Sequence, residues 1–162
     1  MERDINKSCC FTGHRPDKCI GTEETIRSRL LKTIKESIAE GYDTFVTGMA
    51  LGVDTWAAEE VIKLKAEHKE LKLVCAVPFK GMEKKRTTEQ QAIFNGILNM
   101  ADEVVYITPR YQRWSFHARD EWMVDNASKV IAVFNGTHGG TEYTINYAKR
   151  KGRTIAIIDD SE

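Results

Sequence analysis

Short apolar segments that alternate with helical patterns constrain the fold of this 162-residue chain more than any other feature. Six segments have the length and composition of buried strands, and five stretches with apolar residues at helical spacing separate them. Because a helix that joins two parallel strands makes a right-handed crossover, this order predicts a parallel sheet with helices on both faces.

The predicted boundaries follow from glycines, prolines and the ends of the apolar patterns. We predict strands over residues 8–12, 44–47, 71–77, 103–108, 129–134 and 154–158. We predict helices over residues 22–40, 53–69, 87–100, 118–127 and from about 141 to 151. Pro78 and Pro109 are expected to end the third and fourth strands. The fold class is therefore α/β: residues 1–162 form a single domain, a doubly wound, Rossmann-like three-layer sandwich with a mainly parallel six-stranded sheet.

The stretch from Val46 to Glu59 predicts the end of a buried strand, a loop with two glycines and the first turns of a helix. Gly48 and Gly52, with Met49 between them, allow close approaches of the backbone that a Cβ atom would prevent. Amide groups at the start of a helix lack partners within the helix, and the helix dipole favours negative charge there. We therefore predict a phosphate or anion site at this loop.

A second glycine-rich loop, from Asn135 to Thr141, precedes the last helix. Gly139 and Gly140 are expected to let the amide groups at the start of this helix bind a phosphate, as at the first loop. The alternative explanation of the glycines in both loops is that they form tight turns. Thr141 has two open interpretations, a cap of the helix or a hydroxyl that binds a phosphate. Both loops follow strand ends, which is the edge where doubly wound sheets bind ligands.

Gly13, His14 and Arg15 directly follow the first strand and are expected at the same edge. Arg15 can bind a phosphate through two hydrogen bonds or form a structural pair with a carboxylate. His14 can bind a phosphate, stack on a base or hold its own loop. We predict that this segment contributes to the ligand site.

Two carboxylates of the second predicted helix are further candidates. Asp54 lies where the helix dipole stabilises a carboxylate in any case, and its functional alternative is a hydrogen bond to a ribose hydroxyl or to an adjacent loop. Glu59 can accept hydrogen bonds from ligand hydroxyls, bind Arg15 or remain solvated.

Aromatic and basic residues follow the fourth strand and could stack on a base, although a core edge or a dimer contact explains them equally well. They are Arg110, Tyr111, Arg113, Trp114 and Phe116. The basic run after the third strand is interpreted as solvated, and it comprises Lys84, Lys85 and Arg86.

Composition argues against several functional classes. The chain has 24 basic and 24 acidic side chains, so its zero net charge does not draw it to nucleic acid or to an anionic membrane. No apolar run approaches the ~20 residues of a membrane helix, and the charged N-terminus is unlike a signal peptide. We therefore expect a cytoplasmic protein with no membrane partner. Cys9, Cys10 and Cys75 lie in predicted strands, and without a CxxC pair we expect buried thiols and no metal.

Two motifs resemble the bacterial YpsA-like family of the SLOG superfamily of Rossmann-like proteins, to which DprA and the LOG proteins also belong. The motifs are Cys10–Pro16 and Gly48–Glu59, and the resemblance covers nearly the whole chain. It implies a bound nucleotide or nucleotide-derived ligand, for example an ADP-ribose-like molecule, with no further cofactor. It also implies a homodimer.

Comparison within the superfamily suggests two other functions. Thr47–Asp54 is similar to the DprA pattern S-G-G-A-R-G-I-D, but Leu51 replaces the arginine, so single-stranded nucleic acid is the less favoured partner. His117–Arg119 and Gly139–Thr141 resemble the patterns M-H-x-R-K and P-G-G-x-G-T-x-x-E of LOG enzymes, which cleave the N-glycosidic bond of nucleoside monophosphates. Arg119 occupies the arginine position, whereas the glutamate position falls on Thr144.

The leading hypothesis is a sensor or regulatory protein that binds a nucleotide-like ligand. The alternative is a nucleoside-phosphate hydrolase, for which Arg119, Glu59 and Glu142 are the catalytic candidates. The sequence contains no P-loop, G-x-S-x-G or H-E-x-x-H motif that would indicate another chemistry.

Overall fold

Residues 3–161, which a computed structural model describes, form six β-strands and five α-helices in strict alternation. The strands are β1 (Ser8–Gly13), β2 (Thr44–Thr47), β3 (Lys72–Phe79), β4 (Glu103–Thr108), β5 (Lys129–Phe134) and β6 (Thr154–Asp159). The helices are α1 (Glu23–Ala39), α2 (Val53–Leu64), α3 (Thr88–Met100), α4 (Ser115–Asp125) and α5 (Gly140–Arg150). Short 3-10 helices occupy Ile5–Lys7, Pro16–Lys18 and Met82–Lys85.

All six strands are parallel, in the order β4-β3-β2-β1-β5-β6. The chain builds outward from β1 to β4, then crosses to the other side of β1 and adds β5 and β6. Apolar residues of α1, α2 and α3 cover one face of the sheet, and those of α4 and α5 cover the other. This confirms the α/β class and the Rossmann-like three-layer architecture. The direction of building reverses between β1 and β5, which is where such sheets open a ligand crevice.

Three predicted elements have a boundary that is wrong by two residues or more. The helix α2 ends at Leu64 rather than Lys69, because residues 65–70 offer no large apolar side chain that could hold a further turn against the sheet. Pro78 does not end β3, which continues to Phe79. β2 pairs with β3 only as far as Cys75, so beyond it β3 has the edge setting that tolerates proline.

The helix α4 also differs from its predicted range, since it begins at Ser115 and ends at Asp125 instead of spanning residues 118–127. The Ser115 hydroxyl is buried within hydrogen-bonding distance of Thr108 Oγ1, at 2.9 Å, and accepts from Gln112 N at 2.9 Å. These bonds hold the first turn of α4 against the end of β4.

Three of the four cysteines lie in the sheet, as the pattern predicts. Cys9, Cys10 and Cys75 are fully buried free thiols, and burial raises the pKa of Cys9 and of Cys75 to about 12. In the described part of the chain, no helix has both the length and the apolar character needed to cross a membrane.

Candidate functional site

A cavity of about 1130 Å³ opens at the carboxyl edge of the sheet. Its walls come from α4 and from the segments that follow β1, β2, β3, β4 and β5, so the switch point lies within it. Eight of the residues that the sequence predicts for the site line this cavity. They are Gly13, His14, Arg15, Asp54, Arg119, Gly139, Gly140 and Thr141.

Two backbone amides of the loop after β2 are paired with side chains of the same motif. Met49 N donates to Thr47 Oγ1 at 3.3 Å, and Ala50 N donates to Asp54 Oδ2 at 3.3 Å. Gly48, Met49 and Gly52 do not line the cavity, whereas Ala50 and Leu51 of the same loop do. The Met49 side chain is fully buried, and its backbone adopts a left-handed φ of 62°.

Two arginines hold the carbonyl groups of the same loop. Arg119 Nη1 donates to Gly48 O at 2.6 Å, and Arg86 Nη2 donates to Met49 O at 2.8 Å. Both arginines line the cavity. The positive charge beside this loop therefore comes from the Arg86 and Arg119 side chains that bind it.

The glycines of the first two motifs allow segments to pack closely. A Cβ atom on Gly48 would lie 2.7 Å from Arg119 Cδ, and one on Gly13 would lie 2.5 Å from Val53 Cβ. Gly52 has a φ of +91°, and its Cβ would lie 2.8 Å from Pro16 Cδ. Gly13 and Gly52 therefore let the two motifs pack against each other, and Gly48 lets Arg119 of α4 approach the second motif.

The second glycine loop, in contrast, has free space beside its two consecutive glycines. A Cβ atom added to Gly139 or Gly140 would meet no atom within 4 Å. Gly139 is the N-cap of α5, with φ 153° and ψ −153°, and no side chain caps the helix. Thr141 is buried and lines the cavity as a residue of the first turn, so it does not cap the helix. The first turn of α5 thus faces the cavity with backbone donors that no side chain satisfies.

Arg119 lies between two buried carboxyl groups at the base of the cavity. Its Nε donates to Asp120 Oδ1 at 2.7 Å, and Asp54 lies close to it beside Gly48. Burial raises the pKa of Asp54 to about 6 against the attraction of Arg119, and burial also raises the pKa of Asp120. The site therefore contains a carboxyl group that changes its charge near pH 6.

His14 and Arg15 have different roles although they are neighbours. His14 Nε2 accepts from Asn135 N at 3.2 Å, and its ring stacks on Phe134 with centroids 5.7 Å apart. Burial lowers the pKa of His14, so the neutral ring ties the end of β1 to the loop after β5. Arg15 is exposed at the cavity, and its guanidinium makes no hydrogen bond or ion pair within residues 3–161.

The other catalytic candidates lie outside the cavity lining. Glu59 Oε1 accepts from Arg27 Nη2 at 2.6 Å, so this carboxylate faces α1 and not Arg15. Glu142 Oε1 lies 2.8 Å from His138 Nδ1. Thr144 is fully buried, and its hydroxyl donates to Gly140 O at 2.9 Å, so the position of the LOG glutamate is closed to a ligand.

The aromatic loop enters the site only in part. Tyr111 and Phe116 line the cavity and pack edge-to-face on Phe79, with ring centroids 5.3 and 5.8 Å from it. Trp114 and the basic residues of that loop do not line it.

Sequence reasoning missed several residues of the lining, including Arg86, His117 and Asp120. Arg86 had a usable signal, since it follows β3 and so belongs to the carboxyl edge.

The cavity contains three carboxylates, those of Asp17, Asp54 and Asp120. Six cationic side chains outnumber them: Arg15, Lys18, Lys84, Lys85, Arg86 and Arg119.

Comparison with protein families agrees with this arrangement. The YpsA family model, described as the YspA SLOG family, matches residues 9–159. The chain belongs to this family. The two motifs that resemble this family, Cys10–Pro16 and Gly48–Glu59, are therefore the segments that pack against each other beside the cavity.

Relatives of this YpsA-family chain occur in Bacillus subtilis and Brevibacillus brevis. The SPbeta prophage-derived protein YoqJ of Bacillus subtilis is 31% identical over 138 residues, which cover 77% of this chain and 81% of YoqJ. A UPF0398 protein of Brevibacillus brevis is 30% identical over 118 residues, covering 72% of this chain and 63% of that protein.

Two solved structures of DNA processing protein A (DprA) have a similar fold. The protein from Streptococcus pneumoniae has a TM-score of 0.61 and 18% identity, over 94% of this chain and 50% of that chain. The protein from Helicobacter pylori, described with its single-stranded DNA binding mode, has a TM-score of 0.63 and 17% identity. That match covers 94% of this chain and 65% of that chain. At such identities the likeness concerns the fold alone.

Proposed function

We propose that this YpsA-family chain binds a nucleotide or nucleotide-derived ligand, such as an ADP-ribose-like molecule, in the cavity at the carboxyl edge of the sheet. In this role it would act as a sensor or regulatory protein. The volume of about 1130 Å³ exceeds that of a typical small-ligand site and leaves room for more than a mononucleotide.

The observation on which the proposal depends is the charge of the cavity. A chain with no net charge places six cationic and three anionic side chains around one concave surface, next to the uncapped N-terminus of α5. Such a surface attracts anions, and amide groups at a helix start bind phosphate through hydrogen bonds and the dipole.

The order of the strands suggests how the ligand lies. Along the sheet edge, the first turn of α5 follows β5 and Asp54 follows β2, whereas the aromatic pair consists of Phe79, which ends β3, and Tyr111, which follows β4. A phosphate at α5 would thus place the ribose over Asp54 and the base against the aromatic wall. Parallel strands about 4.8 Å apart make this a span that a nucleotide can cover.

The hydrolase alternative lacks an acid–base group at the position where LOG enzymes have one. Thr144 is buried there, and the carboxylates of Glu59 and Glu142 are engaged with Arg27 and His138. The fold shared with DprA makes single-stranded DNA an alternative ligand, so DNA belongs among the compounds tested.

The test is calorimetric titration with AMP, ADP, ADP-ribose and a single-stranded oligonucleotide, together with chromatography for released base. We expect at least one nucleotide to bind, no base to be released, and Arg15→Ala to weaken binding about tenfold through loss of a charge-assisted bond. Gly140→Val should also weaken binding, because its side chain would enter open space above the α5 amides. Arg113→Ala, an exposed arginine outside the cavity lining, is the matched control.

Two outcomes would overturn the proposal. One is the absence of any nucleotide binding by the folded protein, and the other is binding that Arg15→Ala and Gly140→Val leave unchanged. Preferential binding of the oligonucleotide would support the DNA alternative instead.

A further inference from the structure

Arg86 is held more firmly than a residue of an exposed basic loop requires. Its Nη2 donates to Met49 O at 2.8 Å, and its guanidinium carbon lies 5.3 Å from the ring centroid of Phe94. Arg86 N donates to Glu83 O at 2.9 Å, and Gln91 Nε2 donates to Arg86 O at 2.9 Å. These contacts fix the guanidinium at the wall of the cavity.

The other terminal nitrogen of this guanidinium has no partner. Arg86 Nη1 is buried and makes no hydrogen bond in the part of the chain that the structure describes. Burial and the nearby Arg15 guanidinium lower the pKa of Arg86, although Asp54 and Glu83 oppose this effect. A buried donor without an acceptor destabilises the folded state, and so does repulsion between two guanidiniums. A negatively charged acceptor would pair with the buried donor and reduce the repulsion between the two guanidiniums.

Three further cations border the same part of the cavity. Arg15, Lys84 and Lys85 line it, are exposed, and make no side-chain hydrogen bond or ion pair within residues 3–161. Their side chains can therefore turn toward an anion without breaking an existing contact.

We propose that Arg86, with Lys84 and Lys85, forms a second anion subsite that binds a phosphate on the ribose of the ligand. This inference rests on the proposed function, in which the first turn of α5 binds the 5′-phosphate. The ligand class is then a nucleoside with a 5′-phosphate and a second phosphate at the 2′ or 3′ position.

The strand order separates the two subsites. The α5 loop follows β5 and the Arg86 loop follows β3, with β1 and β2 between them, so the two loops start roughly 14 Å apart. Adjacent phosphates of a diphosphate are too close together to reach both subsites. Phosphates on opposite sides of a ribose lie further apart, and the arginine side chains span the rest of the distance.

The test compares AMP and ADP with adenosine 2′,5′-bisphosphate and adenosine 3′,5′-bisphosphate by calorimetry at constant ionic strength. ADP is the control for added charge, because its second phosphate is attached to the first. We expect one of the bisphosphates to bind at least about tenfold more tightly than AMP and ADP, as a charge-assisted pair of hydrogen bonds would provide. Arg86→Met should remove that advantage, because it should weaken binding of the bisphosphate about tenfold more than binding of AMP.

Two further variants keep the test decisive if Arg86→Met folds poorly. Lys84→Met alters an exposed side chain that makes no hydrogen bond or ion pair within residues 3–161, and it should reduce the advantage of the bisphosphate. Lys80→Met removes a charge from the same loop outside the cavity lining and should change nothing.

The outcomes distinguish this inference from the proposed function. If AMP binds but neither bisphosphate exceeds ADP, the second subsite is overturned while the proposed function stands. Equal weakening of AMP and bisphosphate by Arg86→Met would also overturn it, because Arg86 would then act only by supporting the loop. If no nucleotide binds, both proposals fail.

Discussion

Asp54 illustrates how burial outweighs a nearby opposite charge. The residue is 4% exposed and accepts a hydrogen bond from Ala50 N, and Arg119 lies close by. The free energy of removing the carboxylate from water still exceeds these attractions, so its pKa rises to about 6.

The first prediction concerns the pH dependence that follows. Because the folded-state pKa of Asp54 is above its ordinary value, protonation contributes stability that is complete below about pH 4 and is lost as the pH rises through 6. We expect Asp54→Asn to be more stable than wild type above pH 6, by about 1–3 kcal/mol, and equally stable near pH 4. Urea unfolding at several pH values measures this difference.

The amide oxygen of the asparagine can still accept from Ala50 N, so the comparison isolates the charge. A variant that is less stable than wild type at pH 7.5 would show that Arg119 holds the carboxylate in its charged form, contrary to this prediction.

Gly48 supports a second prediction, about close packing. Its Cβ would lie 2.7 Å from Arg119 Cδ and 2.8 Å from Asp54 Oδ2, so Gly48→Ala should destabilise the protein by about 1–3 kcal/mol. Gly96 provides the control, because it lies within α3 with no atom near its missing side chain. Gly96→Ala should stabilise the protein by about 0.5–1 kcal/mol through helix propensity. Thermal unfolding of both variants tests the contrast, and an equal effect of the two would contradict it.

At the scale of elements, Arg27 of α1 joins two acidic residues of α2. Its guanidinium pairs with Glu59 at 2.6 Å and with Glu60 at 2.9 Å, and the Glu60 side chain is only 9% exposed. This arrangement explains why the position of Glu59 in the second sequence motif does not place it in the cavity. Its helical face is turned toward α1.

The third prediction separates this structural role from a catalytic one. Glu59→Gln should lower stability by less than about 1 kcal/mol, as expected for a partly exposed pair, and should leave nucleotide affinity unchanged. Glu60→Gln should lower the free energy of unfolding by more than Glu59→Gln does, because the Glu60 carboxylate is more deeply buried. Denaturation and calorimetry on the same samples provide the measurements. If Glu59→Gln lost nucleotide affinity at unchanged stability, Glu59 would contribute to the ligand site, contrary to this prediction.

Most elements could be predicted from the sequence, since apolar periodicity is local. Residues 44–47, 103–108 and 129–134 match their predicted strands at both ends. The errors occurred where a boundary depends on distant partners. Pro78 is tolerated because β2 is short, and α4 starts at Ser115 because of hydrogen bonds with Thr108 and Gln112.

At the scale of the whole molecule, both layers of helices share the single sheet, and β1 contributes Cys9 and Phe11 to one face and Cys10 to the other. We therefore predict one cooperative unfolding transition. Trp56 reports on the α1–α3 layer and Trp122 on the α4–α5 layer, whereas Trp114 is 57% exposed. In a Trp114→Phe background, fluorescence and far-ultraviolet circular dichroism should give the same midpoint. Two separate midpoints would contradict this prediction.

The sequence by itself determined the alternation of strands and helices, the edge at which the loops converge and membership of the YpsA family. Each of these depends on local patterns of residues. Only the tertiary structure decided which distant side chains hold each glycine loop. Carbonyl groups of the loop at Gly48 accept hydrogen bonds from Arg86 and Arg119, which are 37 and 71 residues away in sequence, whereas added Cβ atoms at Gly139 and Gly140 would meet open space. A side chain that bonds to a distant backbone leaves no periodic trace in the sequence, so these contacts had to be located from the fold.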